Sequence, residues 1–431
     1  MIRKGPLTPA QLASSQYNYC AASLINGLSY MCLGETVLIL LAVRLGCPDY
    51  IVSALGAMVY FGYLLLPLGK AATARVGAAK SYAGFWAARN AAALLVALAA
   101  VVSALHMPRT ATALLLTGAF LFYGFRAAGA AMSQPLVGNI TTVQSRSRVL
   151  GVNLGLFYVS SLVSLTTISL LLKFQNSLAM LTGIVVAGAL CGFTASWFIN
   201  RIDETESIRD SARKPIRGEF REAFGSPVLM RQLAAGFAIN LGLIMLVPVS
   251  MLALKRGYGV SDTQALLFAL AQFAAGAIAS FLSERIGNRI GLRKTLLYAF
   301  LLLVAIGPVW VLAPQGLHPL YMLLPFLISG PASVMTTNAM VHYFLQTVPE
   351  RQHVAGSMFI WVVNGVGSGV IGMVLAGALL DVSARFNTGG SLLPGYRCYF
   401  GLASLLLSGG VWTILRLLPV PVEERGIRES P

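Results

Sequence analysis

Runs of about 20 consecutive, mostly apolar residues recur along the whole chain, and no other feature limits the possible folds so tightly. A helix of that length crosses the ~30 Å hydrocarbon layer of a bilayer. Twelve stretches qualify: 17–43, 49–69, 81–104, 111–135, 149–172, 177–199, 231–254, 263–283, 295–313, 319–344, 354–380 and 397–418. They are continuous rather than alternating and rich in Leu and Ala, which predicts helices and argues against strands. Only 11% of the 431 residues are charged, against about 25% in a soluble domain, and mean hydropathy is +0.75. The expected class is an all-α polytopic membrane protein.

The net charge is +16, from 31 Lys and Arg against 15 Asp and Glu. The cations lie in short segments between apolar runs, so topology explains them better than nucleic-acid binding. With the N-terminus inside, 22 of the 31 fall in cytoplasmic segments and 7 in outer ones, while Arg89 and Arg126 remain within spans. That bias predicts both termini in the cytoplasm and insertion in the plasma (inner) membrane. The five cysteines are scattered, so neither a disulfide framework nor a metal site is implied. The first residues lack the apolar core of a cleavable signal peptide. No phosphate-binding loop and no nucleophile–base constellation appears, so ATP-driven transport and enzymatic activity are not expected, and no cofactor is implied.

The longest polar stretch, Asn200 to Pro227, separates six spans from six. This divides the chain into an N-terminal bundle (1–199), a cytoplasmic linker (200–228), a C-terminal bundle (229–418) and a tail (419–431). The two halves repeat. At an offset of 214, Asn26 faces Asn240, Arg75 faces Arg289 and Gly77 faces Gly291. Thr142–Gly151 matches Thr347–Gly356 at an offset of 205.

Two loops of like number in each half share a pattern. Between spans 8 and 9, Asn288-Arg289-Ile290-Gly291-Leu292-Arg293-Lys294 matches the second part of G-x-x-x-D-R-x-G-R-R, with Asn288 in place of the acid and Glu284 in place of the first glycine. Between spans 2 and 3, Arg75, Gly77 and Lys80 survive and Ala74 replaces the acid. Six plus six spans with this loop signature resemble the major facilitator superfamily of secondary transporters. The resemblance implies two pseudo-symmetric six-helix bundles, with spans 1, 4, 7 and 10 lining a central cavity. Physically, Gly291 permits a tight turn with positive φ, and the cations hold the loop at the cytoplasmic face.

Ionisable residues within spans are costly and therefore functional candidates. Glu35 (span 1), Arg126 (span 4), Arg89 (span 3) and His342 (span 10) qualify. By the superfamily's arrangement the first two and His342 face the cavity, whereas Arg89 stands outside and either snorkels or bonds a neighbouring helix. Arg126 suits an anionic substrate group, a buried acid or adjacent carbonyls and amides. Glu35 suits reversible protonation, or a local bond near the outer vestibule. Neutral candidates are Asn26, Tyr30, Gln134, Asn153, Tyr158, Asn240, Gln272, Asn338 and Asn364; any single amide also serves as helix glue.

The expected function is secondary transport of a small polar or anionic solute by a monomeric permease, with protons as a coupling ion through Glu35. The competing reading is a transporter-like receptor or assembly protein without transport activity.

Overall fold

A computed structural model of the chain describes residues 2–47, 51, 55, 58–59, 61–175, 177–214, 218, 224–387 and 391–418. The side chains of Glu35, Thr36, Ile39, Val43, Asp262, Thr263, Leu266 and Arg351 lie outside the described set.

The fold is all-α: ten helices among the described residues are long and apolar enough to cross a membrane, and their arrangement is consistent with twelve spans in two bundles of six. The first span is α1 (Pro9–Leu33) and α2 (Glu35–Arg44), interrupted at Gly34. α1 starts eight residues before the apolar run does, because Thr8 and Gln11 form a reciprocal capping box and Pro9 pre-sets the first turn. The second span ends in a short 3₁₀ turn, Gly62–Leu65, and α3 (Leu66–Val76). Next come α4 (Ala78–Ala104), α5 (Pro108–Ala130) continued after a break by α6 (Ser133–Ile140), α7 (Val143–Phe174) and α8 (Leu178–Asn200). A short α9 (Glu206–Ala212) lies in the linker. The second half contains α10 (Pro227–Leu252), α11 (Asp262–Ile290), α12 (Leu292–Val311) and α13 (Pro319–Thr347). The eleventh span runs through α14 (His353–Ile360), a π-helical segment at Trp361–Gly367 and α15 (Ser368–Ala384). The twelfth is α16 (Leu393–Ser408) and α17 (Gly410–Leu415). Ser and Thr caps at Thr142, Ser226 and Ser261 set the starts of α7, α10 and α11.

Outside the spans, β1 (Ile2–Arg3) pairs in parallel with β2 (Glu204–Thr205), so the start of the chain is stitched to the start of the linker. Arg3 forms an ion pair with Asp203 at 3.1 Å. The chain start, the linker, the loop at Glu350 and residue 418 therefore share one face, called here the terminal face.

One apolar core fills each half. The first includes Leu38, Val96, Leu115, Phe122 and Ile184; the second includes Phe300, Leu303, Trp310, Phe326 and Phe400. Two further clusters cross between halves, and both sit toward the terminal face. One joins Val137 and Leu150 to Leu229, Leu233, Phe344, Leu345, Val348 and Phe359; the other brings Val354 and Met358 against Met132, Leu136 and Ile208. Polar contacts across the halves lie at the same end: Ser207 Oγ donates to Glu350 Oε1 (2.6 Å), Ser357 Oγ to the Ala131 carbonyl (2.8 Å) and Ser280 Oγ to the Gly151 carbonyl (2.7 Å). The halves are sealed together at the terminal face.

The signature loops turn on Gly77 (φ 92°) and Gly291 (φ 81°), a backbone region that a side chain strains. Arg75, Asn288 and Arg289 are exposed beside them, without an ion pair among the described residues, and Arg293 donates to the Leu415 carbonyl. The acid absent at Ala74 has a substitute from elsewhere. Glu204, buried in β2, accepts the first N–H groups of α4 from Ala78 (2.8 Å) and Ala79 (3.1 Å). Burial raises this carboxyl's pKa, and the two N–H bonds oppose the rise. A Cβ on Gly77 would meet Glu204 Oε1 at 2.3 Å. Gly77→Ala is accordingly expected to cost about 1–3 kcal/mol from backbone strain, read as a fall in the thermal unfolding midpoint, with the unclashed Gly84→Ala as the neutral control.

Candidate functional site

A cavity of about 360 Å³ lies between the halves, above the seal. Its walls come from Tyr19 of α1, Tyr63 of the second span, Ser133 and Gln134 of α6, and Asn153 of α7. Facing them are Gln232, Gly236 and Asn240 of α10, Thr336 and Asn338 of α13, and Trp361, Asn364 and Gly365 of the π-segment. No Asp, Glu, Lys, Arg or His is among its described lining residues.

The chemistry of the wall is that of carboxamides. Gln134 Oε1, Asn153 Oδ1, Gln232 Oε1 and Asn364 Oδ1 are buried without a protein hydrogen-bond partner, as is the indole N–H of Trp361. Each such atom carries a desolvation cost of about 1–3 kcal/mol unless something bonds to it. A carboxamide that turns over presents N–H₂ in place of oxygen, so the same wall serves donors and acceptors. The Tyr63 and Trp361 rings meet across the halves at 5.9 Å, tilted by 31°, and give the cavity an aromatic side.

Arg126 stands beside this cavity in a tyrosine cage. Its guanidinium lies 4.7 Å from the centre of the Tyr30 ring, with Tyr63, Tyr82 and Tyr123 in electrostatic reach. Tyr63 belongs to both the cage and the cavity wall. Arg126 is half-buried and forms no ion pair among the described residues.

Arg89 is close by and wholly buried, with 0% exposure. It donates to Asn26 Oδ1 (3.1 Å), Ser29 Oγ (3.3 Å) and Asn90 Oδ1 (3.3 Å), and lies 4.3 Å over the Trp86 ring. Of the two sequence expectations for Arg89, the bond to a neighbouring helix is the one formed, and it does not snorkel.

The other sequence candidates separate. Asn240, Asn338 and Asn364 line the cavity, together with Gln134 and Asn153. Asn26 accepts from Trp86 Nε1 (3.2 Å) as well as from Arg89, and lines only a small neighbouring pocket of about 40 Å³. The repeat-related pair Asn26 and Asn240 therefore performs different work in the two halves: Asn240 faces the cavity and donates to the Gly236 carbonyl of its own helix (2.8 Å). Gln272 is outside the lining, its backbone carbonyl packed on Gly330. Tyr158 meets the Phe273 ring across the halves at 5.2 Å, tilted by 47°. His342 is below the cavity, in a water-sized pocket with Ser147, Ser283 and Asn338. Glu35 begins α2 directly after the break at Gly34; its side chain is outside the described residues, and so is any pairing with Arg126.

Sequence reasoning missed Tyr63, Gln232 and Trp361. Gln232 sits at the polar edge of its apolar run. Trp361 was hidden in a run of seven residues that winds as a π-helix, which shifts the facing of each side chain from the α-helical phase.

A family model described as Major Facilitator Superfamily matches residues 19–373. The chain belongs to that superfamily. Among solved structures, it is similar to a bacterial homologue of the iron transporter ferroportin in an outward-facing state, at 13% identity over 93% of this chain and 98% of that one, TM-score 0.67. The human organic anion transporter MFSD10 is similar at 14% identity over 95% and 100%, TM-score 0.67. The E. coli fucose:proton symporter FucP is similar at 13% over 93% and 98%, TM-score 0.67. At such identities these likenesses establish the fold alone. No curated protein matches the chain by sequence. Family and fold together support a multi-pass membrane protein of the secondary-transporter class that binds a small molecule.

In this superfamily member the bond between Asn26 and Arg89 is structural. Asn26→Ala removes the acceptor shared by Arg89 Nη1 and Trp86 Nε1 and leaves that end of the charged group unpaired, while Nη2 keeps Ser29 and Asn90. The expected loss is about 1.5–3 kcal/mol, the range for a hydrogen bond to a charged group, measured as a lowered unfolding midpoint in detergent. A smaller loss is expected for Ser29→Ala, which leaves Asn26 in place.

Proposed function

We propose that the chain moves a small polar organic solute with an anionic group, by alternating access of the amide-lined cavity to the two faces of the membrane. The observation that carries this reading is the pairing of two guanidinium groups, Arg126 and Arg89, with no acid partner among the described residues, next to a cavity of unsatisfied amides. An Arg at mid-membrane costs about 2.5–3.5 kcal/mol even on the more lenient scales. Tyrosine faces soften that cost without cancelling the charge. An anionic group on Arg126 would cancel it, while hydroxyl or amide groups of the same solute bond Gln134, Asn153, Asn240 and Asn364.

In this reading the chain is a monomer in the plasma (inner) membrane with both ends in the cytoplasm, as the distribution of Lys and Arg argues. The seal at the terminal face then corresponds to an outward-open state. The return stroke opens that seal and closes the opposite side around the same site. Glu35 is the coupling group: the only acid that the sequence places well inside a span, sited where the first helix breaks. Its protonation balances the charge that the solute brings.

A thermal-shift screen of small anions and their neutral analogues on the purified protein tests the anchor. Anionic solutes should stabilise the native chain, and Arg126→Ala should bind them at least about tenfold more weakly, equivalent to ~1.4 kcal/mol. Equal stabilisation of both forms removes Arg126 from the site. Coupling is tested separately in proteoliposomes loaded with the best ligand. Uptake by Glu35→Gln should lose its dependence on a proton gradient, and undiminished dependence dismisses Glu35 as the coupling group.

A further inference from the structure

Behind the central cavity, on the other side of the wall built by α10 and the π-segment, lies a second cleft of about 450 Å³. The two clefts use alternate faces of α10. Gln232, Gly236, Asn240 and Leu243 face the cavity, whereas Met230, Ala234, Phe237 and Leu241 face the cleft, at the four- and three-residue spacing of one helical stripe. Phe359 and Val363 form the far wall, and Thr413 is its one polar side chain. Space for the cleft comes from small residues. Ala234 and Ala238 line it with methyl groups alone, and the twelfth span breaks at Gly409, where a Cβ on Gly410 would come within 2.9 Å of the Ala238 methyl. Met230 and Ala234 are exposed, so the cleft opens to the flank of the bundle and not into its interior.

Its dimensions and its rim both point to a ligand. From Met230 to Leu241 the cleft climbs roughly 16 Å along the helix, about half of the ~30 Å hydrocarbon layer and so the depth of a single leaflet. At the terminal-face end stand cations. Arg231 follows Met230 directly, and Arg416 lies one turn beyond Thr413, its guanidinium 3.3 Å over the Trp412 ring. Tyr343 ties this rim to the end of the twelfth span: its hydroxyl bonds Leu418, and Arg231 and Arg293 are both within its electrostatic reach. Arg231 and Arg416 are exposed and have no carboxylate partner among the described residues.

We propose that this cleft holds an acyl chain of an anionic glycerophospholipid from the terminal-face leaflet, with its phosphate held by Arg231 and Arg416. An apolar slot one leaflet deep with a cationic mouth matches the two parts of that molecule, and negative surface lipids favour such a mouth. Because α10 and the π-segment wall both clefts, the lipid chain buttresses the substrate cavity from behind. The inference is independent of which solute is carried.

The test compares phosphatidylglycerol with phosphatidylcholine of the same acyl chains, added to the delipidated full chain in detergent. Phosphatidylglycerol should raise the unfolding midpoint by a few degrees more than phosphatidylcholine does, since a ligand that binds only the folded state stabilises it. The double variant R231Q/R416Q should abolish that difference. Ala234→Phe, which fills the cleft while keeping both cations, should abolish it too, and native mass spectrometry should show fewer retained phosphatidylglycerol molecules for both variants. A difference that persists in R231Q/R416Q overturns the headgroup assignment. One that persists in Ala234→Phe shows a surface charge effect alone and overturns the acyl-chain site. No difference between the two lipids on the native chain overturns the proposal as a whole.

Discussion

Hydrocarbon offers no hydrogen-bonding partner, so every backbone N–H and C=O between the two faces must be satisfied within the protein. The consequences reach each part of this molecule. The spans are helices because a helix bonds its own backbone. Their free ends are covered by Thr8, Thr142, Ser226 and Ser261 at the start of a span, or, at α4, by the carboxylate of Glu204. Irregular backbone is tolerated only where protein or a polar cavity can receive the freed groups. Two of the interruptions are found there. The π-segment places Trp361, Asn364 and Gly365 on the cavity wall, and the break between α5 and α6 comes directly before Ser133 and Gln134. The site is located where the helices stop being regular.

The same constraint explains why the two halves have diverged in chemistry while keeping one architecture. Both contribute carboxamides to the cavity, but the described cations at mid-membrane, Arg89 and Arg126, belong to the first half alone. Asn26 is consumed in holding Arg89, whereas Asn240, its counterpart by sequence offset, is left facing the cavity. Once a guanidinium is placed in a bundle core, nearby oxygens are drawn into solvating it and are lost to the solute. The polar residues of a repeat therefore cannot be assigned by symmetry once one copy carries a charge.

This is also the boundary of what could be read from the sequence. Spans, their number and the six-plus-six division follow from run length and charge, because lipid imposes those without regard to the neighbouring helices. The amides Asn338 and Asn364 were legible as candidates for the same reason, since a polar side chain in a span must find a partner somewhere. Direction around the helix axis was not legible. Depth placed Arg89 within reach of the headgroups, yet the side chain points inward to α1, because Asn26 and Ser29 are there to receive it. Gln272 has the right depth and is turned away from the cavity lining. Trp361 needed the π-helical register, which no periodicity in its short run announces.

The loop signature shows a further way in which three-dimensional chemistry outruns a motif. Ala74 removes the acid that the pattern requires, and the sequence alone reads this as a loss. In the folded chain a carboxylate still sits at that loop, supplied by Glu204 from a strand about 130 residues downstream and locked there by pairing with Ile2 and Arg3. The substitution changes what the acid is attached to. Ser15 bonds Asp203, Asn139 bonds Thr205 and Arg213 bonds the Ala74 carbonyl, so the opening of the linker is tied to the first half at several points. Among the described residues its polar tie to the second half is the one between Ser207 and Glu350, an exposed contact at 2.6 Å. If the halves rock against each other, the linker up to α9 travels with the first half, and the exposed Ser207–Glu350 contact must part while buried Glu204 stays in place. Within the linker, strength is thus distributed as such a motion requires: a buried carboxylate on two N–H groups where nothing separates, and a solvated hydroxyl–carboxylate bond, weakened by competition with water, where the linker meets the second half.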